Sequence, residues 1–162
     1  EWGSDKHFDS AFLEALEFAR LLLTRIITKK QAELKMKELV QEVYNNTSDK
    51  RVLVFDVGVS ANACSEYPEV LMVVQPDDSA SNNSWIAKTV STGRAAFESR
   101  IDFPEEWRGL RGAELAQVSG VSDAIFCHKA GFIFVAGSKE GVMEAVGKVV
   151  GERDACSVVT NH

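Results

Sequence analysis

Apolar residues recur at three- and four-residue steps along the first quarter of the chain. Phe12, Leu16, Ala19, Leu23, Ile26 and Ile27 fall on one face of a helix that runs from Phe8 toward Tyr44. Asp9 or Ser10 suits its N-cap, because a short side-chain oxygen can accept a first-turn N–H. The period slips at Thr28-Lys29-Lys30-Gln31 and resumes at Ala32, Met36, Leu39, Val40 and Val43, so the stretch is one long bent helix or two consecutive ones. Lys29 and Lys30 read as a solvated helix face. Asn45-Asn46-Thr47-Ser48-Asp49 ends the helical pattern.

From residue 51 onward the pattern changes to short apolar runs separated by turns. Val52–Phe55, Val70–Val74, Trp85–Val90, Ile125–Cys127 and Phe132–Val135 read as strands. The polar connector Asp77–Ser84 makes the second and third an antiparallel hairpin, and Lys129-Ala130-Gly131 bends the last two around each other. Ala113–Val118 reads as a short helix stopped by Gly120. A final helix spans Lys139 to Val150, with Ser138 as N-cap and Val142, Val146, Val149 and Val150 facing inward. Strands that do not alternate regularly with helices predict an α+β fold: a mixed sheet of roughly five strands flanked by helices. The implied organisation is a helical segment over 1–50 and an α+β domain over 51–162.

Composition adds limits. At 162 residues, 45% hydrophobic and 26% charged, the chain is long enough to bury one core. The apolar runs are broken by charge before they reach membrane-spanning length, so no membrane partner is expected. The net charge of −6 argues against a whole-domain basic footprint for nucleic acid. Residues 91–150 are more balanced and leave room for a local basic face. Cys64, Cys127 and Cys156 are odd in number and far apart, which points to a reducing compartment rather than a disulfide framework. The start Glu1-Trp2-Gly3-Ser4-Asp5 lacks the pattern of a signal peptide and reads as the first residues of an excised piece.

Special residues concentrate between 97 and 141. Phe97-Glu98-Ser99-Arg100, Pro104-Glu105-Glu106-Trp107-Arg108-Gly109-Leu110-Arg111, Val118-Ser119-Gly120, Ile125-Phe126-Cys127-His128, Gly131-Phe132-Ile133 and Glu140-Gly141 follow one another here. This succession resembles the last third of the UPF0160 family, the melanocyte-proliferating-gene-one proteins. Upstream, Pro76-Asp77 and Trp85 stand where that family has a Pro-Asp and a Trp. The resemblance implies a likeness to DHH-type phosphoesterases, metal-dependent nucleases acting on RNA. In such proteins an N-terminal half holds Mn²⁺ or Mg²⁺, and a C-terminal DHHA1-like half binds substrate and closes over the metal. The chain resembles the second half alone. Its partners would then be the DHH-like catalytic domain of the same protein, with RNA or a nucleotide, and a homodimer is a further option. The compartment implied is nucleus, mitochondrion or cytoplasm. Phe134-Val135 replaces two family glycines that would let backbone approach a phosphate, and Ile86 replaces a family Arg.

Two-metal hydrolysis needs several carboxylates and imidazoles converging on the ions. The chain has only His7, His128 and His162, two of them near its ends, so no catalytic or metal residues are assigned and no cofactor is expected in this chain. Asp77-Asp78 reads as a solvated turn before it reads as a ligand pair. The candidates for holding substrate are Arg108, Arg111, His128, Gly131, Ser138, Lys139 and Gly141. An Arg fork matches phosphate geometry, though Glu105, Glu106 or Glu114 could pair with it instead. His128, at a strand end, could meet a phosphate or the partner domain's metal site, or cap loop carbonyls. The helix start at Ser138-Lys139-Glu140-Gly141 offers N–H groups to an anion, or is simply capped by Ser138. Arg108, His128 and this helix start are expected to line a single anion-accepting rim. Trp85 and Trp107 could stack on bases or fill the core. Cys127 and His128 point to opposite faces of a strand and do not form a nucleophile–base pair.

Overall fold

The computed structural model describes residues 5–78, 83–93 and 98–159, and among these the side chains from 9 to 151. The chain divides into two compact units between Leu39 and Val40. In the first unit a helix, α1 (Asp5–Asn46), begins its course. It starts at Asp5, so Asp9 and Ser10 lie within its first turns and do not cap it. It also runs unbroken through Thr28–Gln31. That tetrapeptide contains no Gly or Pro, so the slip in period moves the apolar stripe around the helix without interrupting it. Every side chain described from Asp9 to Lys35 is exposed.

The second unit opens with the last turns of α1. Val40 is buried, Tyr44 stacks on Tyr67 at 4.2 Å and its hydroxyl donates to Glu69. These contacts tie the end of α1 to the α+β body. The body is a five-stranded mixed sheet with the helices α2 (Gly112–Ser119) and α3 (Lys139–Val159), an α+β fold. The strands are β1 (Val52–Val54), β2 (Met72–Pro76), β3 (Trp85–Thr89), β4 (Ala124–Cys127) and β5 (Ile133–Ala136), in spatial order β1-β2-β3-β5-β4. β1 and β2 are parallel, and the other neighbours are antiparallel. The β2–β3 hairpin is present as the sequence predicts.

Two elements differ from expectation. β2 lies two residues later than the apolar run suggests, because the N–H groups of Leu71 and Met72 both reach back to the Arg51 carbonyl and Val70 closes a turn onto Tyr67. Val70 is still buried, so apolarity marks its burial and not its strand membership. α3 continues past Val150 to Val159, with no proline to stop it.

Strand alternation sends Met72, Val74, Ala87, Phe134 and Ala136 to one face of the sheet. There they meet Val142, Ala145, Val146, Val149 and Val150 of α3 and the rings of Phe103 and Trp107. Phe134 lies 5.4 Å from Phe103 and 5.7 Å from Trp107, ring centre to ring centre. On the other face, Leu53, Val73, Ile86 and Val135 are also buried. The crossing segment between β1 and β2, with a 3-10 turn at Ala61–Cys64, is pinned on that side: the Val59 N–H donates to the buried Gln75 side chain at 2.8 Å.

Candidate functional site: the ends and outer face of the β4–β5 hairpin

The β4–β5 turn is built on Gly131, whose φ of +75° lies in the left-handed region. Its N–H donates to the His128 carbonyl at 2.8 Å, and its own carbonyl accepts from Phe103 N–H at 2.8 Å. A Cβ here would stand 2.7 Å from Arg108 Nε. Gly131 is therefore required by its conformation and by the approach of Arg108. Arg108 donates from Nε to the Phe103 carbonyl at 2.8 Å, and its Nη2 lies 3.9 Å from Asp102. The guanidinium thus braces the 102–108 segment, and the Phe103 N–H ties that segment to the hairpin turn. Beside it lies an open groove of about 440 Å³, where Arg100 and Arg108 are balanced by Asp102 and Glu106. Arg100, which sequence reasoning did not single out, donates to the carbonyls of Ser65, Tyr67 and Val70 and anchors that loop.

The outer face of the hairpin carries a different set. Phe126 opposes Val135, which opposes Ile86, and Lys88 opposes Ile133, so these side chains share the face away from α3. The Arg111 guanidinium lies over the Phe126 ring at 4.3 Å. His128 lies against Phe132 at 4.2 Å, ring centre to ring centre, with the two planes tilted by 45°, and meets Phe126 edge-on at 6.0 Å. His128 Nδ1 accepts the Ala130 N–H at 3.1 Å, so a neutral ring carries its proton on Nε2. The His thus organises its own turn by accepting an N–H; it does not cap a carbonyl. Phe126, His128 and Phe132 are half-buried, and Arg111 and Lys129 are exposed. Arginine, two phenylalanines and an imidazole form one row. The two phenylalanines were not singled out as site residues from the sequence, where each looked like an ordinary strand residue.

The start of α3 is arranged otherwise. Ser138 Oγ accepts the Gly141 N–H at 3.0 Å, the cap that the sequence predicts, and donates to Asp123 at 2.6 Å. A side chain at Gly141 would collide with the Asp123 carboxylate. The glycine therefore makes room for an acid of the chain itself, which sits where the helix dipole favours negative charge. Lys139 lies 3.4 Å from Asp56 and 4.8 Å from the Trp85 ring centre. Sequence reasoning missed Asp123; nothing in its spacing connects it to the helix start.

These placements correct the single rim. His128 and Gly131 precede β5, whereas Ser138, Lys139 and Gly141 follow it. A four-residue strand separates the groups by on the order of 13 Å. Arg108 and Arg111 go with the turn end and the β4 side respectively; Arg111 forms a bridge with Phe126.

The remaining candidates have plain roles. Trp107 is buried in the core, and Trp85 is half-buried beneath Lys139. Phe134 and Val135 fill the strand, as their replacement of glycines predicts. Asp77 closes a turn onto the Ser84 carbonyl through its N–H. Burial pushes the Cys64 and Cys127 thiols up to about 11, so neither is a thiolate at neutral pH. Among the described residues, no group of three or more His, Cys, Asp or Glu side chains could hold a metal ion, and no helix is long and apolar enough to cross a membrane. Phe97 lies outside the described residues, as do His162 and the side chain of His7.

A family model described as an uncharacterised protein family (UPF0160) matches residues 1–150. The chain belongs to the UPF0160 family. Among its relatives, the MYG1 protein of Chlamydia trachomatis is 33% identical over 147 residues, covering 88% of this chain and 49% of that protein. The MYG1 protein of Saccharomyces cerevisiae is 31% identical over 157 residues, 87% of this chain and 45% of that protein. The human MYG1 exonuclease is 38% identical over 69 residues, 43% of this chain and 18% of that protein. The chain spans about half the length of the first of these UPF0160 relatives. No solved structure matches it.

Proposed function

We propose that this chain is the substrate-holding, DHHA1-like domain of a UPF0160-type metal-dependent phosphoesterase or exonuclease, and that it holds single-stranded nucleic acid on the outer face of the β4–β5 hairpin. The observation that carries this reading is the row Arg111–Phe126–His128–Phe132. Unstacked bases bind to aromatic faces and guanidinium planes, and nearby cations follow the phosphate chain. Lys88 on the same sheet face and Lys129 in the turn supply such cations. The relatives named exonuclease support the activity of the whole protein. The Mn²⁺ or Mg²⁺ of that activity belongs to a DHH-like domain outside this chain, in a reducing intracellular compartment. Ser138 and Gly141 have a structural role in this reading, because their polar partner is Asp123. Arg108 and Gly131 shape the turn that presents His128.

The overall charge keeps affinity modest. Dissociation constants of about 10⁻⁴ to 10⁻⁶ M that weaken with salt are expected. Fluorescence anisotropy with a short labelled single-stranded RNA tests the reading. Wild type should saturate at low salt, and Phe126→Ala and Arg111→Ala should each weaken binding, with about 1–3 kcal/mol for a lost stacked base. Absence of saturable binding, or unchanged binding by both variants, rejects it. A second reading, a protein–protein interaction module, is favoured by the exposed apolar side chains of α1 and would then replace it.

A further inference from the structure

The first unit exposes Phe12, Leu16, Leu23, Ile27 and Leu34 at 67, 54, 58, 55 and 62%. A row of large apolar side chains this open to water is an unfinished interface. Its spacing says what finishes it. Phe12, Leu23 and Leu34 are eleven residues apart, as are Leu16 and Ile27, and Ala19 and Lys30. Eleven residues are close to three turns of helix, so the row stays on one side of the helix. The steps between successive members are 4, 3, 4, 4, 3 and 4, which read the same in both directions about Leu23.

Charge follows the same symmetry. Residues 9–19 carry Asp9, Glu14 and Glu17 and no Lys or Arg, whereas their mirror positions 27–37 carry Lys29, Lys30, Lys35 and Lys37 against Glu33 alone. We propose that the partner of this row is the same row of a second copy, packed antiparallel and centred on Leu23. Phe12 then meets Leu34, Ala19 meets Ile27 and Leu23 meets its symmetry mate. Asp9 comes opposite Lys37 and Glu17 opposite Lys29. A parallel pair would set acid against acid and base against base, at a cost. Lys30, the one charged member, lies against Leu16. Its stem packs there while its ammonium stays at the edge, and one such polar position in an apolar seam fixes register. The result is a closed two-fold contact in which one patch serves both copies.

The test uses the chain itself. Its mass in solution by light scattering should be that of a dimer at tens of micromolar, and Leu23→Asp should return it to a monomer. Cysteine pairing reads the orientation without destabilising the fold. A mixture of Phe12→Cys and Leu34→Cys chains should cross-link to each other under mild oxidant, neither should cross-link to itself, and the parent chain treated alike sets the background. Cross-linking of Phe12→Cys to itself, or a dimer that survives Leu23→Asp with its thermal unfolding unchanged, overturns the proposal. So does a monomeric wild type, including one whose row is covered only when the remainder of a full-length protein is added.

Discussion

The first unit and the second are both rich in large apolar residues, yet they use them in opposite ways. From Phe12 to Leu34, α1 leaves ten such side chains about half or more exposed, whereas Leu53, Phe103, Leu115 and Phe134 in the second unit are fully buried. The difference is topological. A lone helix has no second layer to bury its stripe, while strand alternation gives the sheet two faces that α3 and the β1–β2 crossing segment can cover. Hydrophobicity alone therefore does not say where the core is. The same letters form a core in the second unit and stay open to water along α1.

The sharpest way to break this contrast is a pair of truncations. Phe134→Ala removes a ring packed on two others and should cost about 3–5 kcal/mol in chemical denaturation. Phe18→Ala, on a side chain 69% exposed and outside the row centred on Leu23, should stay within about 0.5 kcal/mol. Equal losses would mean that the helix is buried after all.

A smaller effect is expected in the second unit, at the start of α3. Gly141→Ala should cost about 1–3 kcal/mol, because the new methyl meets the Asp123 carboxylate. In an Asp123→Ala background the same change should cost far less, since the obstacle is gone. Additive losses in a double-mutant cycle would show that the glycine answers to something other than Asp123.

The smallest effect is in pH. Cys64 and Cys127 are held protonated by burial, with thiols raised from 9.0 to about 11. A group raised on folding stabilises below its unfolded value, so this contribution is complete below pH 9 and is lost as pH climbs through about 11. Site-resolved alkylation at pH 8 should be slow at both and become fast on adding denaturant. Fast labelling of either in the native protein would contradict their burial.

Much of the fold was legible because it rests on local signals. The helical period of α1, the β2–β3 connector, the Gly120 stop and the Ser138 cap each predict an element that the structure contains. The parallel pairing of β1 with β2 was not legible, since it depends on how the intervening segment crosses the sheet. The candidate site was legible only as an inventory. Arg108, Arg111, His128, Ser138 and Lys139 lie within about thirty residues of one another, but sequence proximity does not say at which end of β5 each falls. Nor could it reveal that Asp123 already occupies the start of α3, or that Arg100 is committed to three carbonyls. Charge and shape complements of that kind come from distant parts of the chain and leave no periodic trace.

The proposed substrate position is the hairpin's outer face and not the start of α3. Titrating the isotope-labelled chain with a short single-stranded RNA and following backbone amide resonances separates the two directly. Saturable shifts should concentrate at Arg111, Phe126, His128 and Phe132, with Ser138 to Gly141 and Asp123 nearly still. Shifts concentrated at Ser138 to Gly141, or none that saturate anywhere, would contradict it.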